Sequence, residues 1–335
     1  MTPNSVFVTG GAGYVGSTLV PELLNHGYKV TVYDIMYFGD TFLPKNNPNL
    51  KIIRGDIRDI ELLEKSCANH EFFLHLACIS NDTSFALDEK LSTSINYDAF
   101  EPMVLAAKRS GIKRFIYAST SSVYGVSDKK NVTEDHPLVP LTLYNKYKGM
   151  CEPLLLKHIS KNFEGVIFRP ATVCGYAPRL RLDLSVNILT NHAIVNNKII
   201  VFGGSQLRPN LHIMDYCDVV RLLISAPSEK INKETFNVGY QNMSIENIAN
   251  LVKKVIEIEF PDKKNIKIEK QESNDNRSYH INSDKIFNRL GFKAKRSIED
   301  AIKSISDSFK KGLINQSFDN DIYYNVRRIK NLRAK

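Results

Sequence analysis

Residues 5–19 read SVFVTGGAGYVGSTL: a β-branched and aromatic run, then clustered glycines, then the start of a helical pattern. Gly11, Gly13 and Gly16 have the G-x-G-x-x-G spacing, and Gly10, Gly13 and Gly16 have a G-x-x-G-x-x-G spacing. Glycines allow a sharp turn and a close approach of the backbone to a diphosphate, and the amide groups at a helix start face its phosphates. This stretch therefore predicts the nucleotide-binding strand, turn and helix of a doubly wound parallel sheet.

A second strand ends in a carboxylate at the spacing that such a site requires. Residues 28–33 have a strand pattern, and Asp34 follows them, 18 residues after Gly16. An acid at this spacing accepts hydrogen bonds from the ribose hydroxyls of the adenosine half. Because Asp34 would also repel a 2′-phosphate, we predict NAD rather than NADP as the cofactor. The alternative interpretation is a glycine turn in an α/β domain that binds no nucleotide.

The composition is typical of a globular protein. The 335 residues are 43% hydrophobic and 24% charged, and no run approaches the roughly 18 apolar residues of a membrane span. The five cysteines are scattered without a C-x-x-C spacing, which argues against a disulfide framework or a zinc site. The first apolar residues belong to a strand rather than to a secretory signal. We expect a cytoplasmic protein without a metal.

The formal net charge of +9 is partly due to residues 327–335, which read RRIKNLRAK. We interpret residues 327–335 as a solvated terminus rather than one bound to nucleic acid, within a basic C-terminal tail at residues 316–335. We therefore expect neither nucleic acid nor a membrane as a partner. The basic balance also suits an anionic substrate.

Polar residues follow several predicted strands. Asp56 comes after the strand at residues 50–53, where it could bind adenine or cap the next helix, and both interpretations stay open. His75 ends an apolar strand, and we interpret it as a packed structural residue. Four hydroxyl residues, 119–122, follow another strand; they suit substrate contact but are also common at strand-to-loop junctions.

Two later groups of residues have chemistry that suits such a site. Tyr144 and Lys148 lie four apart in a helical pattern, so their side chains share one face, although this spacing alone has little specificity. Arg179, Arg181 and Arg208 suit a diphosphate, because a guanidinium group binds phosphate oxygens bidentately. We divide the chain into a Rossmann domain at residues 1–175, to which residues 205–240 return, and a smaller α/β substrate-binding region at residues 176–204 and 241–315.

Taken together, these motifs resemble the extended short-chain dehydrogenase/reductase superfamily, in its branch of nucleotide-sugar epimerases and dehydratases. The similarity extends to about Lys311. It is carried by Thr9-Gly10-Gly11-Ala12-Gly13, Asp34, Gly55-Asp56, His75-Leu76-Ala77, Asn96, Thr120, Val123-Tyr124-Gly125, Tyr144, Lys148, Arg169-Pro170, Arg208 and Arg277. The resemblance implies a homodimer formed through the helices that begin near Asn96 and Tyr144.

The resemblance also implies catalytic roles. Tyr144 would take the proton from a sugar hydroxyl as hydride leaves the same carbon for NAD, Lys148 would bind the nicotinamide ribose, and Thr120 would hydrogen-bond the reacting oxygen. A cation about 4 Å from a phenol contributes roughly 4 kcal/mol at an effective dielectric near 20, or about three pKa units before the cost of burial is subtracted. We therefore expect Lys148 and the positive nicotinamide ring to lower the pKa of Tyr144 towards neutrality.

The expected ligand contacts follow from the same resemblance. The cofactor residues are Gly10, Gly13, Tyr14, Val15, Gly16, Asp34, Asp56, Ile57, Leu76, Ala77, Asn96, Ala118, Tyr144, Lys148 and Pro170. The residues for a nucleoside diphosphate sugar are Asn81, Thr120, Ser121, Ser122, Tyr144, Thr172, Arg181, Asn187, Arg208 and Arg277.

Two departures from the family pattern guide the choice of reaction. Dehydratases of this branch carry Asp-Glu directly after the threonine and the related decarboxylases carry a Glu, whereas this chain has Ser121 and Ser122. Thr172 stands where many relatives have an asparagine that contacts the substrate diphosphate. We predict epimerisation of a nucleoside diphosphate hexose at C4 through a transient 4-keto sugar. The first alternative is a C4 dehydrogenase that releases the ketone; a 4,6-dehydratase and a non-catalytic NAD-binding sensor rank below it.

Overall fold

The structure is a computed structural model that describes residues 4–127, 129, 131–273 and 278–333. The strands are β1 (Ser5–Thr9), β2 (Lys29–Asp34), β3 (Leu50–Arg54), β4 (Phe72–His75), β5 (Arg114–Ala118), β6 (Glu164–Pro170), β7 (Thr172–Cys174), β8 (Lys198–Phe202), β9 (Leu207–His212), β10 (Thr235–Val238), β11 (Gln241–Ser244) and β12 (Lys267–Gln271). The helices are α1 (Gly16–Asn25), α2 (Ile60–Cys67), α3 (Asp82–Phe85), α4 (Glu89–Thr93), α5 (Phe100–Arg109), α6 (Leu143–Lys157), α7 (Ser185–Asn196), α8 (Ile213–Ser225), α9 (Ser228–Ile231), α10 (Ile245–Glu259), α11 (Asp284–Leu290), α12 (Ile298–Lys310) and α13 (Asn325–Arg333). Short π- or 3-10-helical turns occur at Ser94–Asp98, Ser121–Tyr124 and Asp321–Tyr323.

Seven of the described strands form one parallel sheet in the order β10-β6-β5-β4-β1-β2-β3. In the register of the sheet, Val8 of β1 lies between Val32 of β2 and Leu74 of β4. The chain builds outward through β2 and β3 and then returns to add β4 on the other side of β1. The carboxyl ends of β1 and β4 therefore border the crevice in which such sheets bind ligands. The predicted doubly wound α/β fold is confirmed.

Helices cover both faces of this sheet. Because side chains alternate along β1, Val6 and Val8 pack in one apolar cluster with α1 and α8, whereas Phe7 packs in another with α2, α5 and α6. All five residues of β1 are buried, as expected for a strand that is covered on both faces.

A smaller region adjoins the carboxyl edge of the sheet. It contains the mixed sheet β11-β9-β7 and the parallel pair β12-β8, among the described strands. Helices α7, α10 and α12 bury a separate apolar cluster that includes Ile194, Val252 and Ile302. β10 pairs with β6 at the outer edge of the large sheet. The exact boundaries proposed for the two regions stay a prediction.

His75 is a packed structural residue, as we interpreted it. Its Nδ1 atom lies 2.8 Å from the hydroxyl oxygen of Thr9, and its ring stacks on that of Tyr117 with centroids 5.7 Å apart. The side chain is buried, and this burial lowers the pKa of His75 well below its ordinary value. The imidazole is therefore neutral and does not face a ligand.

This burial predicts a pH dependence of stability. The pKa of His75 is lowered on folding, so the unfolded chain takes up a proton below about pH 6.5 that the folded chain excludes. The contribution of His75 to the free energy of unfolding is complete above that pH. Below it, this contribution falls by up to about 1.4 kcal/mol per pH unit. The free energy of unfolding of His75→Asn, measured between pH 7.5 and 5, should fall less steeply than that of the wild type. The exposed His26, replaced by Asn, is the control; identical slopes for His75→Asn and wild type would contradict the prediction.

The prediction of a solvated terminus at residues 327–335 is wrong for Ile329, and residues of the preceding part of the basic tail are buried as well. Tyr323 and Tyr324 are each 8% exposed, and Ile329 in α13 is 6% exposed. Arg327 and Lys330 are exposed. The segment is amphipathic: Arg327 and Lys330 face solvent, whereas Tyr323, Tyr324 and Ile329 pack on the protein. Five of the nine residues at 327–335 are basic, and this run of charge obscured the packing of Ile329.

The described residues include no helix with the length and apolar character needed to cross a membrane. They also contain no cluster of three or more histidine, cysteine or acidic residues arranged to hold a metal ion.

Candidate active site

A cavity of about 660 Å³ lies at the carboxyl ends of the parallel strands. Most of the predicted ligand contacts line it: Gly10, Gly13, Tyr14, Val15, Asp34, Asp56, Ile57, Leu76, Ala77, Asn81, Ala118, Thr120, Ser121, Ser122, Tyr144, Lys148, Pro170, Thr172, Arg181 and Arg208. Gly16, Asn96 and Asn187 are not on its wall, and Arg277 lies outside the described residues. The site thus joins both predicted regions of the chain.

The glycine turn has the close backbone contacts that exclude side chains. Gly10 has a φ of +77°, and a Cβ there would lie 2.6 Å from the backbone of Ala77. A Cβ at Gly16 would lie 2.2 Å from the carbonyl oxygen of Gly11. Gly16 therefore does not line the cavity, but its lack of a side chain allows α1 to begin directly against the backbone of the glycine turn.

Asp34 stabilises this turn through hydrogen bonds and also lines the cavity. Its carboxylate accepts hydrogen bonds from the backbone amides of Ala12, at 3.0 Å, and Met36, at 2.8 Å. Burial raises the pKa of Asp34, and the two amide bonds oppose that rise. A carboxylate has about four lone-pair positions, so both oxygens retain acceptor capacity for ribose hydroxyls.

The choice left open for Asp56 is decided against helix capping. The residue that caps α2 is Asp59, whose side chain accepts from the amide of Leu62 at 3.0 Å. Asp56 instead pairs with the guanidinium group of Arg58, at 2.5 Å, and lines the cavity. The pairing with Arg58 lowers the pKa of Asp56 despite its partial burial.

Asn96 and Asn187 are buried behind the cavity rather than on its wall. The side chain of Asn96 makes two hydrogen bonds to the backbone of Ile79, at 2.8 and 2.9 Å. The side chain of Asn187 accepts from the amide of Gly175 and donates to the carbonyl of Arg181. Because these bonds occupy the amide groups, both residues position cavity loops, which corrects our expectation of direct ligand contact.

The predicted catalytic residues meet at the cavity. Tyr144 and Lys148 lie one turn apart on α6, and Lys148 donates to the carbonyl of Ala118 at 2.8 Å. The hydroxyl groups of Thr120 and Ser122 are 2.8 Å apart, and Ser122 donates to the side chain of Asn145 at 2.5 Å. The ends of β5 and α6 thus bring four polar side chains to one wall.

The expected lowering of the Tyr144 pKa is not found in this structure. Burial raises the pKa of Tyr144 well above its ordinary value, and the charge that opposes this rise belongs to Arg181 rather than Lys148. The phenol is therefore protonated near neutral pH in the protein alone. From the sequence we expected the charges of Lys148 and the nicotinamide ring to outweigh the cost of burial; in the protein alone the cost of burial is larger.

Two buried arginines face the same cavity. Arg181 pairs with Asp183 at 2.9 Å and donates to the hydroxyl of Ser80 at 3.2 Å. Arg179 is 1% exposed, and its guanidinium group lies 3.5 Å from the centroid of the Phe38 ring. Within the described structure, Arg179 Nε and Arg181 Nη2 are buried without a hydrogen-bond partner. These atoms are donors available to an anion.

Some cavity residues could not be identified directly from the sequence. Phe38, Asn325 and Ile329 line the cavity but belong to no motif that we recognised. Arg179 was noted only as one of several arginines suited to a diphosphate. The available signal was the apolar spacing of Tyr323, Tyr324 and Ile329 within a basic segment.

The residues present fit a dinucleotide. Gly10 and Gly13 bring backbone without side chains to the cavity wall, the buried arginine donors suit phosphate oxygens, and Asp34 presents a carboxylate to hydroxyl groups. The family model described as "NAD dependent epimerase/dehydratase family" matches residues 6–239. The chain belongs to this family. The resemblance seen in the sequence is confirmed, and the cofactor of the family is the predicted one, NAD.

Individual relatives differ in their reactions. A dTDP-glucose 4,6-dehydratase from an Actinoplanes species is 28% identical over 234 residues, which are 66% of this chain and 72% of that protein. A UDP-glucose 4-epimerase from Rhizobium meliloti is 25% identical over 284 residues, 72% of this chain and 85% of that protein. The crystal structure of UDP-glucuronic acid 4-epimerase from Bacillus cereus in complex with UDP-glucuronic acid and NAD has a TM-score of 0.81 at 26% identity, with 92% of this chain and 99% of that chain covered. Similarity therefore assigns the family and not the reaction.

Proposed function

We propose that the protein epimerises a nucleoside diphosphate hexose at C4 through a transient 4-keto sugar. The observation that carries this proposal is the part of the cavity wall formed by Tyr144, Lys148, Thr120 and Ser122. The described carboxylates that line the cavity already accept hydrogen bonds from protein groups. NAD, when bound, supplies reversible acceptance of hydride. The glycine turn and Asp34 would hold its adenosine half, and Lys148 would hold its nicotinamide ribose.

Tyr144 is the group that would move the proton of the C4 hydroxyl. No described residue forms a hydrogen bond with its hydroxyl group, which leaves that group available to a substrate. Thr120 would hydrogen-bond the same sugar oxygen. Arg181 and the bound positive cofactor would favour the phenolate, offsetting the burial that raises the pKa of Tyr144.

The acids on the cavity wall do not suit an elimination. The described carboxylates there are those of Asp34, Asp56, Asp82 and Asp183. Each of the four accepts hydrogen bonds from protein donors. Eliminating water needs an additional acid–base group near the leaving hydroxyl, and residues 121 and 122 are serines. These features favour oxidation and reduction at one carbon over dehydration.

A nucleotide sugar is the substrate class that suits the rest of the cavity. Arg181 and Arg208 lie on its wall with Thr172, and guanidinium groups bind diphosphates bidentately. Relatives named above act on UDP- and dTDP-sugars. Contacts of this substrate with Asn81, Thr172 and Arg208 stay predictions. The homodimer and the cytoplasmic location also stay predictions.

Product analysis in D₂O tests the proposed reaction. Purified protein is incubated with a panel of UDP-, GDP-, CDP- and dTDP-hexoses, and the products are identified by NMR. Epimerisation returns the same hydrogen to C4, so the expected product differs in configuration at C4 and carries no deuterium on carbon. Deuterium at a carbon next to a ketone would indicate dehydration. One equivalent of NADH per site together with a released ketone would indicate the dehydrogenase.

A further inference from the structure

Residues 320–333, here called the cover segment, form part of the cavity wall. Asn325 and Ile329 line the cavity, and Ile329 belongs to the same apolar cluster as Ile57, a residue predicted to contact the cofactor. Arg328 donates from Nε to the carbonyl of Tyr37 at 2.8 Å, and Tyr37 also lines the cavity. The cover segment therefore lies against the end of the cavity that contains the predicted adenosine contacts.

Asn325 links the cover segment to the buried arginines. Its side-chain oxygen accepts from Arg179 at 2.6 Å, and its side-chain nitrogen donates to Ser80 at 2.9 Å. Its backbone amide donates to Asp183 at 3.1 Å, the carboxylate that also pairs with Arg181. One buried residue thus fixes the position of Arg179 and contacts both partners of Arg181.

The position of Arg179 indicates what this arrangement holds. Its backbone amide donates to the hydroxyl of Ser17, in the first turn of α1, at 3.1 Å. The residue is therefore anchored beside the first turn of α1, and its guanidinium charge is close enough to Asp34, which contacts the glycine turn, to act on the pKa of that carboxyl group. Among the described residues, its guanidinium group donates to the neutral side chain of Asn325 and lies against the ring of Phe38; the carboxylates of Asp183 and Asp34 act on its charge without forming an ion pair with it. Burial of this charge lowers the pKa of Arg179 to about 9, and a buried charge requires a counterion.

We propose that the cover segment belongs to the dinucleotide site: Asn325 holds Arg179 against the diphosphate of NAD, and Ile329 closes the wall beside the adenosine half. This inference rests on the proposed binding of NAD in the cavity. Asn325 is a positioning residue, because it acts through Arg179. The cofactor then leaves only when the cover segment moves away from the cavity, which retains NAD from one turnover to the next.

Release of NADH from the full-length protein tests the inference. The protein is loaded with NADH, an excess of NAD is added, and the dissociation rate is followed by the fluorescence of NADH. Asn325→Ala removes a hydrogen bond to a charged group, so we expect the rate to rise roughly ten- to a hundredfold. Ile329→Ala should also raise it. Leu332→Ala, at an exposed position of the same helix, is the matched control and should match the wild type.

Two further measurements separate this role from a structural one. Calorimetry with UDP should give the same affinity for wild type and Asn325→Ala, because the inference assigns Arg179 to the cofactor diphosphate. Hydrogen exchange of the wild type should show that NADH slows exchange of the amides in α13. Both readouts are independent of turnover.

The outcomes are distinguishable. Faster release from Asn325→Ala and Ile329→Ala, with UDP affinity unchanged, supports the inference. The inference is overturned if the rate of NADH release is unchanged, or if Leu332→Ala raises it as much as Asn325→Ala does. It is also overturned if Asn325→Ala loses UDP affinity and does not release NADH faster, a result that would assign Arg179 to the substrate diphosphate. A wild-type protein that binds no NADH would overturn the proposed function itself.

Discussion

Replacing Tyr144 by phenylalanine is expected to lower turnover by about three orders of magnitude while NAD stays bound. The phenol of Tyr144 lies on the cavity wall, no described residue forms a hydrogen bond with its hydroxyl group, and we propose it as the group that exchanges a proton with the C4 hydroxyl. General acid–base catalysis contributes about 10²- to 10⁴-fold to such steps. The measurement is the rate of product formation by NMR, paired with NADH binding by fluorescence.

Tyr147→Phe is the matched control for this variant. Tyr147 lies on the same helix, where its ring stacks on that of Tyr97 with centroids 5.0 Å apart, and it is absent from the cavity wall among the described residues. We expect its turnover to stay within about twofold of the wild type, as for a substitution away from reacting atoms. A Tyr144→Phe protein with wild-type turnover would remove this residue from its proposed role.

Loss of Glu152 is expected to produce the largest change in stability. The carboxylate of Glu152 accepts two hydrogen bonds from Arg169, at 2.9 and 2.6 Å, and one from Ser119 at 2.6 Å. Both members of the ion pair are 6% exposed. Glu152→Ala leaves a buried guanidinium without its counterion, which costs about 3–5 kcal/mol. Chemical denaturation monitored by circular dichroism measures the change in the free energy of unfolding.

Two comparisons define the cause of that loss. Glu61→Ala breaks the exposed ion pair between Glu61 and Lys65 and should change the free energy of unfolding by less than about 0.5 kcal/mol. The double variant Glu152→Leu with Arg169→Met removes both buried charges and should recover much of the stability lost in Glu152→Ala. A loss in Glu152→Ala as small as that in Glu61→Ala would contradict the prediction.

Local sequence rules predicted the first part of the fold well. The glycine turn and the strand that ends at Asp34 are encoded within about thirty residues, and their geometry depends on contacts that short spacing determines. The shared face of Tyr144 and Lys148 likewise follows from helical periodicity. By contrast, Asp56 and Asp59 both precede α2, and only the observed start of the helix assigns the cap to Asp59.

The remaining site could not be predicted because it depends on contacts between distant parts of the chain. The amide groups of Asn96 and Asn187 bind backbone loops whose positions are not evident from either residue. The pKa of Tyr144 depends on burial and on Arg181, which lies outside its helix. Asn325 and Ile329 contact the cavity from a segment whose composition indicated a solvated tail.

The cavity wall combines residues that are far apart in sequence, from Gly10 to Ile329, and this has a consequence for folding. Contacts between residues so far apart in sequence form only after long loops have closed, which slows their formation relative to neighbouring strand pairs. The central strands can therefore assemble before the ligand cavity is complete. In mild denaturant, affinity for the cofactor should be lost before the far-ultraviolet signal of the sheet, so a folded spectrum by itself does not report a protein that is competent to bind.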